Sequence, residues 1–190
     1  EIAYQGGDVT RRRCKAFDAL YLCEGDTVVD IGCGNGLLTE EIARAIGKTG
    51  QVIGVDPSKD MRAPASARCS AYPSVKIKDG LANELPLRDG EVDKAVAVQV
   101  LEYLSDIPSA IREAHRVLRS GGRFVAVDTG CKTLDWFSED YDRMQRVQAA
   151  WDHHYTEARV AALWPKLTQE AGFSAIEIEP FTFCDVTLRP

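Results

Sequence analysis

The segment from Val28 to Gly36 constrains the fold more than any other part of the chain. Its sequence, Val-Val-Asp-Ile-Gly-Cys-Gly-Asn-Gly, is an apolar strand that ends in three alternate glycines and continues directly into a segment of helical period. Glycine lets the backbone turn sharply and lets a ligand approach the main chain without meeting a Cβ atom. The segment therefore predicts a strand–loop–helix unit whose loop, Gly32–Gly36, is a ligand cradle.

Short β-branched runs alternate with longer segments of helical period, which is typical of a parallel sheet covered by helices. The predicted strands are Thr27–Ile31, Gln51–Val55, Ser74–Lys78, Val92–Val98 and Gly122–Asp128. The predicted helices are Val9–Leu22, Leu37–Ile46, Ser58–Cys69, Ile107–Arg119, Ser138–His154 and Ala158–Ala171. We therefore expect an α/β fold: a doubly wound, mostly parallel sheet of the seven-stranded type with helices on both faces.

The C-terminal end has few residues for the closing strands of a sheet of that type. Its apolar residues alternate in a pattern that indicates one strand, a bend at Pro180 and a second strand. These residues are Ile176, Ile178, Phe181, Phe183, Val186 and Leu188. A closing hairpin normally needs more chain, so we expect the C-terminal strands to be incomplete.

Length and composition limit the remaining choices. A chain of 190 residues is long enough for one domain, with residues 1–22 as an N-terminal helical cover. The net charge of -6 and the pI near 5.1 argue against a nucleic-acid or anionic-membrane partner, and no apolar run approaches the length of a membrane span. Six scattered cysteines without zinc-site spacing indicate free thiols in a cytoplasmic protein and no metal site.

The charge beside the glycine loop discriminates between ligands. The dinucleotide fingerprint Gly-x-Gly-x-x-Gly places the pyrophosphate at the helix N-terminus. Here Leu37 occupies the position of its third glycine, and Asp30 precedes the loop, where a carboxylate would repel a pyrophosphate. The same carboxylate can hold, directly or through water, the ammonium group of an amino-acid moiety such as methionine. The pattern therefore disfavours NAD.

A second acid follows roughly 20 residues beyond the loop, at the end of the next predicted strand. There the sequence reads Val52-Ile53-Gly54-Val55-Asp56-Pro57. An acid at this point lies beside the first loop and can accept hydrogen bonds from both hydroxyls of a ribose. Asp56 is the strongest single candidate for a ligand contact, with a helix-capping aspartate as the alternative.

From Val28 to Asp128 the chain resembles the class I, Rossmann-like methyltransferases that use S-adenosylmethionine. The likeness is carried by the two acidic strand ends and by three further segments. These are 79–87 (Asp-Gly-Leu-Ala-Asn-Glu-Leu-Pro-Leu), 98–104 (Val-Gln-Val-Leu-Glu-Tyr-Leu) and 116–123 (Arg-Val-Leu-Arg-Ser-Gly-Gly-Arg). The chain is most similar to the small-molecule branch that includes quinone-, sterol- and arsenite-modifying enzymes.

The resemblance implies a set of site residues. Those expected to bind the cofactor are Asp30, Gly32, Cys33, Gly34, Asp56, Pro57, Gly80, Leu81, Ala82, Gln99, Val100 and Leu101. The acid that the family places near the adenine is replaced by Leu81, which leaves Asp79 as an alternative partner. Residues 132–172 are expected to form a variable helical segment on the substrate side, and Tyr103, Asp128 and Trp136 are the substrate candidates.

The implied activity is in-line transfer of a methyl group to a small-molecule acceptor, with S-adenosylhomocysteine as product. Positioning alone can supply much of the rate, so no dedicated base is obligatory. If a base is used, the candidates are Glu102, Tyr103, Asp128, His153 and His154. Two alternatives remain: a non-catalytic, S-adenosylmethionine-binding regulatory domain, and a nucleotide-dependent oxidoreductase. The acceptor and the oligomeric state are not determined by the sequence.

Overall fold

The computed structural model describes residues 6–130, 139–151, 154–157 and 159–181. The described strands are β1 (Thr27–Ile31), β2 (Gln51–Val55), β3 (Val75–Lys78), β4 (Val92–Val98) and β5 (Leu118–Val127). They form one sheet in the order β3-β2-β1-β4-β5, and every neighbouring pair is parallel. The doubly wound, parallel α/β architecture expected from the sequence is confirmed.

Six α-helices accompany the strands in the part of the chain that the structure describes. They are α1 (Gly7–Ala19), α2 (Leu37–Ile46), α3 (Lys59–Arg68), α4 (Ile107–Val117), α5 (Tyr141–Trp151) and α6 (Val160–Glu170). The start of α4 is fixed by its sequence, because Asp106 Oδ1 accepts a hydrogen bond from the Ser109 amide at 3.1 Å and Pro108 occupies the first turn. None of the described helices has the length and apolarity that a membrane crossing requires.

Successive side chains of each strand point to alternate faces of the sheet, and they form two cores, one on each face. In β1, Val28 packs with α1 and α2, whereas Val29 and Ile31 pack on the opposite face with α4. Successive side chains of a strand point to opposite faces, so a strand covered on both sides is apolar throughout. Asp30 interrupts this pattern on the α2 face, and its burial marks it as a residue with a specific partner.

The strand order creates a switch point at the carboxyl ends of the strands. From β1 the chain builds outward through β2 to β3, and then returns to place β4 on the other side of β1. The loops after β1 and β4 therefore leave the sheet in opposite directions from neighbouring positions. In open α/β sheets, ligands bind in the crevice at such a point.

Most element bounds agree with the sequence prediction, and those of β1, α2, β2 and β4 coincide with it. The largest shift is at β5, which begins at Leu118, four residues early, so that α4 ends at Val117. Leu118 pairs with Val92 while Arg123 pairs with Lys94, so the residues between them bulge from the ladder. Gly121, with φ +78°, permits this irregularity.

The predicted strand over Ile176 and Ile178 is wrong, because residues 173–181 contain no strand and both isoleucines are exposed. Instead, Glu179 accepts a hydrogen bond from Lys15 of α1 at 2.7 Å, and the Lys15 ammonium lies 6.0 Å from the centre of the Phe181 ring. These contacts draw the segment toward α1. The remainder of the predicted C-terminal hairpin lies outside the described residues.

A third apolar cluster joins α4 to α6 and includes the fully buried Ile111. We expect Ile111→Ala to lower the free energy of unfolding by about 2 to 5 kcal/mol, because it removes buried methylene groups and leaves a cavity. Arg112→Ala, at the exposed neighbouring position, is the control and should change the free energy by no more than about 0.5 kcal/mol. Urea unfolding measures both, and equal losses would contradict this packing.

Candidate functional site

The loop after β1 is tied to the two strands beside it. The amides of Gly32 and Cys33 donate hydrogen bonds to the Val55 carbonyl of β2, at 2.7 and 3.1 Å. Gly32 has φ +67°, and a Cβ atom there would lie 2.5 Å from Cγ2 of Val100, which follows β4. Only glycine fits both the backbone angle and this approach. Gly32 therefore brings the loops on the two sides of the switch point into contact.

The next two glycines of the loop have different surroundings. Gly36, with φ +80°, is buried, and a Cβ atom there would lie 3.0 Å from both Cα and Cβ of Ala65 in α3. Gly34, with φ +53°, has no atom within 4 Å of its hypothetical Cβ. Gly36 is thus required for helix packing, whereas Gly34 faces open space in which a ligand can approach the main chain.

Asp30 lies beneath this loop and is only 3% exposed. Its Oδ2 accepts a hydrogen bond from the Thr39 hydroxyl of α2 at 2.6 Å. Burial raises the pKa of Asp30 to about 7, against the opposing effect of the Thr39 hydrogen bond. The nearby charges of Asp56 and Glu41 raise this pKa further. Asp30 is therefore a carboxyl group whose ionised form would be favoured by a cation.

Asp56 follows β2 and turns its carboxylate toward the glycine loop. Oδ2 accepts a hydrogen bond from the Gly34 amide at 2.9 Å, and Oδ1 accepts one from the Ser58 amide at 2.8 Å. The second bond is the capping role that the sequence left as an alternative; the first joins Asp56 to the cradle. Each carboxylate oxygen has a further lone pair, so these bonds leave acceptor capacity for ligand hydroxyls.

The segment after β3 lines the candidate site beside the loops that follow β1 and β2. Gly80 approaches Pro86 so closely that a Cβ atom would lie 2.7 Å from its Cδ. Leu81 is 50% exposed, and Ala82 is partly buried beside it. The Asp79 carboxylate is paired with the Arg62 guanidinium at 2.9 Å, and the same guanidinium donates to the Pro57 carbonyl at 2.8 Å. Arg62 therefore holds the ends of β2 and β3 together.

The loop after β4 has a strained backbone that Asp128 stabilises. Gln99 has φ +54°, a left-handed value that is rare for a residue with a side chain. Asp128, after β5, accepts hydrogen bonds at Oδ1 from the amides of Val100, Leu101 and Glu102, at 3.2, 3.1 and 3.4 Å. The sequence offered Asp128 as a substrate residue, and the structure shows that its carboxylate caps the neighbouring loop.

Glu102, on the loop after β4, makes the reciprocal contact to the segment after β5. Its side chain is fully buried, and its Oε2 accepts a hydrogen bond from the Thr129 amide at 2.8 Å. Burial first, and then the charge of Glu102, raise the pKa of Asp128 to about 7, against the three amide hydrogen bonds. Among the described residues, Glu102 Oε1 and Asp128 Oδ2 are buried without a hydrogen-bond partner.

Aromatic side chains stand beside this loop. The rings of Tyr103, His154 and Tyr155 have centroids 5.1 to 5.7 Å apart, and we name them the aromatic cluster. The Tyr103 carbonyl accepts a hydrogen bond from the Thr156 hydroxyl at 3.0 Å, which fixes the two segments to each other. Tyr103 is 42% exposed and His154 is exposed, so the cluster presents ring surface to solvent.

The structure brings the loops that carry the predicted cofactor residues together at the carboxyl ends of β1, β2, β3 and β4. Trp136 and His153 lie outside the described residues. The sequence prediction missed three features: the Thr39 hydroxyl that meets Asp30, the reciprocal bonds of Glu102 and Asp128, and Tyr155. No spacing in the sequence indicates them, because each joins segments that only the fold makes neighbours.

Comparison with known proteins assigns this arrangement to a family. Residues 29–126, just over half of the chain, match the model of the methyltransferase domain. The chain belongs to the methyltransferase domain family. The match begins inside β1 and ends inside β5, so it covers the glycine loop, Asp56 and the loop after β4. The domain is of the type that transfers methyl groups with S-adenosylmethionine as the donor.

Individual relatives include one that is named as a methyltransferase. The chain is 31% identical to 2-phytyl-1,4-naphtoquinone methyltransferase of Thermosynechococcus vestitus, over 87% of this chain and 80% of that protein. It is 35% identical to a 37.1 kDa protein of transposon Tn4556 from Streptomyces fradiae, over 87% of this chain but only 48% of that protein. An S-adenosylmethionine-dependent methyltransferase structure from Aquifex aeolicus shares the fold, with a TM-score of 0.66, 19% identity and coverage of 84% and 78% of the two chains.

The two glycines with contrasting surroundings give a matched test of the loop. Gly34→Ala should lower the free energy of unfolding by about 1 to 2 kcal/mol, because alanine disfavours the left-handed backbone. Gly36→Ala carries the same backbone cost and also forces a Cβ atom against Ala65, so we expect an additional loss of about 1 to 3 kcal/mol. Urea unfolding of the two variants measures the difference. A Gly34→Ala protein as unstable as Gly36→Ala would refute the open space above Gly34.

Proposed function

We propose that this chain transfers the methyl group of S-adenosylmethionine to a small, planar, largely apolar acceptor held beside the aromatic cluster. The observation that carries the proposal is the pairing of Gly34 and Asp56. Open space above a glycine amide lies next to a carboxylate at the neighbouring strand end. That combination fits a ligand with a ribose close to the main chain.

In the proposed site, Asp56 binds the sugar. Its two oxygens are already oriented by the amides of Gly34 and Ser58, so the carboxylate is preorganised to accept both ribose hydroxyls. Gly32, Cys33 and Gly34 would contact the ligand through their backbone. Cys33 itself is 7% exposed and points into the protein beside Gly54, which agrees with a backbone role for this residue.

We place the methionine end between Asp30 and the loop after β4. Asp30 is too buried to be a surface contact, so it would act on the ligand ammonium from beneath the loop, directly or through one water. A bound ammonium would favour the ionised carboxylate and lower the pKa that burial has raised. Gln99 and Val100 would line the same end.

The adenine would lie against the wall after β3, in contact with Pro57, Gly80, Leu81 and Ala82. Leu81 offers exposed apolar surface of the kind that a base covers on binding. Asp79 is the alternative partner for the exocyclic amine, and its ion pair with Arg62 leaves one carboxylate oxygen for that contact. Leu101, which is 1% exposed, would support the ring from below.

When bound, S-adenosylmethionine supplies an activated methyl carbon, so the protein needs to provide position and a dry pocket. The aromatic cluster adjoins the loop that follows β4, and its exposed ring faces suit a flat acceptor. The relatives named above include an enzyme whose name specifies a naphthoquinone, and a phenol- or quinol-like ring is the acceptor class that we infer. A cytoplasmic location is part of the proposal and rests on the scattered cysteines of the sequence.

One set of measurements distinguishes the methyltransferase from the regulatory domain and from the oxidoreductase. Incubation with S-adenosylmethionine and a panel of quinols, phenols and sterols should yield S-adenosylhomocysteine with a quinol or phenol. Binding of the cofactor without product from any acceptor would favour the regulatory-domain alternative. Thermal stabilisation by NAD but not by S-adenosylmethionine would revive the oxidoreductase.

We expect Asp56→Ala to weaken S-adenosylhomocysteine binding by about 1.5 to 3 kcal/mol, because two charge-assisted hydrogen bonds to the ribose are lost. Isothermal titration calorimetry measures this change. Asp60→Ala is the matched control, since Asp60 is exposed in the first turn of α3 and should leave the affinity unchanged. An Asp56→Ala protein that binds as tightly as the unmodified one would exclude the ribose contact.

We expect Tyr103→Ala to raise KM for the acceptor about tenfold, equivalent to ~1.4 kcal/mol, and to change the affinity for S-adenosylhomocysteine by less than about twofold. The reason is that Tyr103 contributes ring surface on the acceptor side of the site. Tyr21→Ala is the control: Tyr21 is 64% exposed, but it precedes β1 at the opposite edge of the sheet. Steady-state kinetics distinguish the two, and an unchanged acceptor KM would remove Tyr103 from the pocket.

A further inference from the structure

Two carboxyl groups, one fully and one partly buried, face each other between the ends of β4 and β5. Glu102 is fully buried, and the partly buried Asp128 faces it closely enough for the charge of one to act on the other. Burying two charges of the same sign together is strongly unfavourable unless one of them is neutralised. The pair therefore needs a structural reason to be there.

Their hydrogen bonds supply that reason. Asp128 Oδ1 accepts three consecutive amides of the loop after β4, while Glu102 Oε2 accepts the Thr129 amide that follows β5. Each carboxyl group thus accepts hydrogen bonds from the backbone of the segment that carries the other carboxyl group. The loop that they hold begins at Gln99, whose left-handed backbone persists only where its surroundings impose it.

The remaining oxygens indicate how the pair is charged. Glu102 Oε1 and Asp128 Oδ2 are buried and have no hydrogen-bond partner among the described residues. A carboxylate oxygen that has lost its water without gaining a donor is costly, whereas a protonated one is not charged. One proton held by the pair at Asp128, whose pKa is raised, removes the repulsion and leaves the other oxygens free to accept the backbone amides.

We propose that Glu102 and Asp128 are a positioning pair that shares one proton and fixes the loop Gln99–Tyr103 between the methyl donor and the acceptor. The pair touches neither reactant and acts through the backbone. Its relation to the cofactor rests on the proposed function, whereas its hold on the loop does not.

The stabilisation of the loop by this pair should depend on pH. Burial and the charge of Glu102 raise the pKa of Asp128 to about 7, so the folded protein keeps a proton that the unfolded chain releases at lower pH. The stabilisation is therefore complete below the ordinary carboxyl range and declines as pH rises through about 7. Above that value Asp128 is charged and is repelled by the charge of Glu102. The loop should loosen at alkaline pH.

Among the described residues, the other titratable groups near the pair lie on two segments. Tyr103 lies on the same loop, and His154, Tyr155 and Glu157 lie in the segment whose amides at Thr156 and Glu157 bond to the Glu102 carbonyl. The charge that acts on Asp128 comes from Glu102. His154 contacts Tyr103 of the same loop, so it needs a control variant.

The test is hydrogen–deuterium exchange of the peptide containing Val100–Glu102 in the cofactor-free protein, from about pH 6 to about pH 8.5. Protection factors, corrected for the intrinsic rate at each pH, should fall about tenfold in the unmodified protein. Asp128→Asn retains the acceptor oxygen without a second charge, so its protection should stay high at both ends. Asp128→Ala loses the acceptor and should be poorly protected throughout.

Three controls make the outcome specific. Asp30→Asn removes a different buried carboxyl whose pKa is also about 7, and His154→Gln removes the nearby imidazole; both should retain the pH-dependent fall. Glu102→Gln should abolish the fall, as Asp128→Asn does, and this holds even if Asp128→Ala does not fold. A fall that persists in Asp128→Asn, or protection in the unmodified protein that does not change with pH, would falsify the shared proton.

Calorimetry with S-adenosylhomocysteine then connects the loop to the site. Affinity in the unmodified protein should follow loop protection, and Asp128→Asn should bind at least threefold more tightly than the unmodified protein at about pH 8.5. If the protein binds no cofactor at all, the proposed function fails while the exchange experiment still decides the positioning pair. If exchange behaves as expected but affinity does not follow it, the pair holds the loop without serving the site.

Discussion

The approach of Gly32 to Val100 is the constraint on which the rest of the site depends. With 2.5 Å between a hypothetical Cβ and the valine methyl, the loop after β1 and the loop after β4 can meet only if the first has no side chain at that point. These two loops meet at the switch point of the sheet. The open space above Gly34, the carboxylate of Asp56 and residues 99–102 lie around that contact.

Around this contact the fold concentrates acid groups. Asp30, Asp56, Glu102 and Asp128 are at or near the carboxyl ends of four different strands, and two of them have a pKa raised to about 7. Such a field favours a positively charged ligand, and S-adenosylmethionine carries both an ammonium and a sulfonium. The sulfonium charge disappears on methyl transfer, so the same field would hold the product less strongly than the reactant.

The sequence predicted the scaffold well because the scaffold is local. Alternating β-branched runs, the glycine loop and the helix that follows it identify β1, α2 and β2 to the residue. It failed at the start of β5, where Gly121 allows a bulge, and at Ile176–Ile178, where no strand forms and the neighbouring Glu179 pairs with Lys15 of α1. Both errors depend on partners distant in the chain.

By itself, the sequence determined the doubly wound sheet, the glycine cradle and the two acids, Asp30 and Asp56, that follow β-branched runs. Periodicity and glycine placement are properties of neighbouring residues, and they carry this information without a fold. Only the tertiary structure decided which buried carboxyl meets a hydroxyl and which meets another carboxyl. Asp30 meets Thr39, whereas Asp128 faces Glu102 across 26 positions of sequence, because hydrogen-bond partners and burial are set by the packing of strands that the chain order separates.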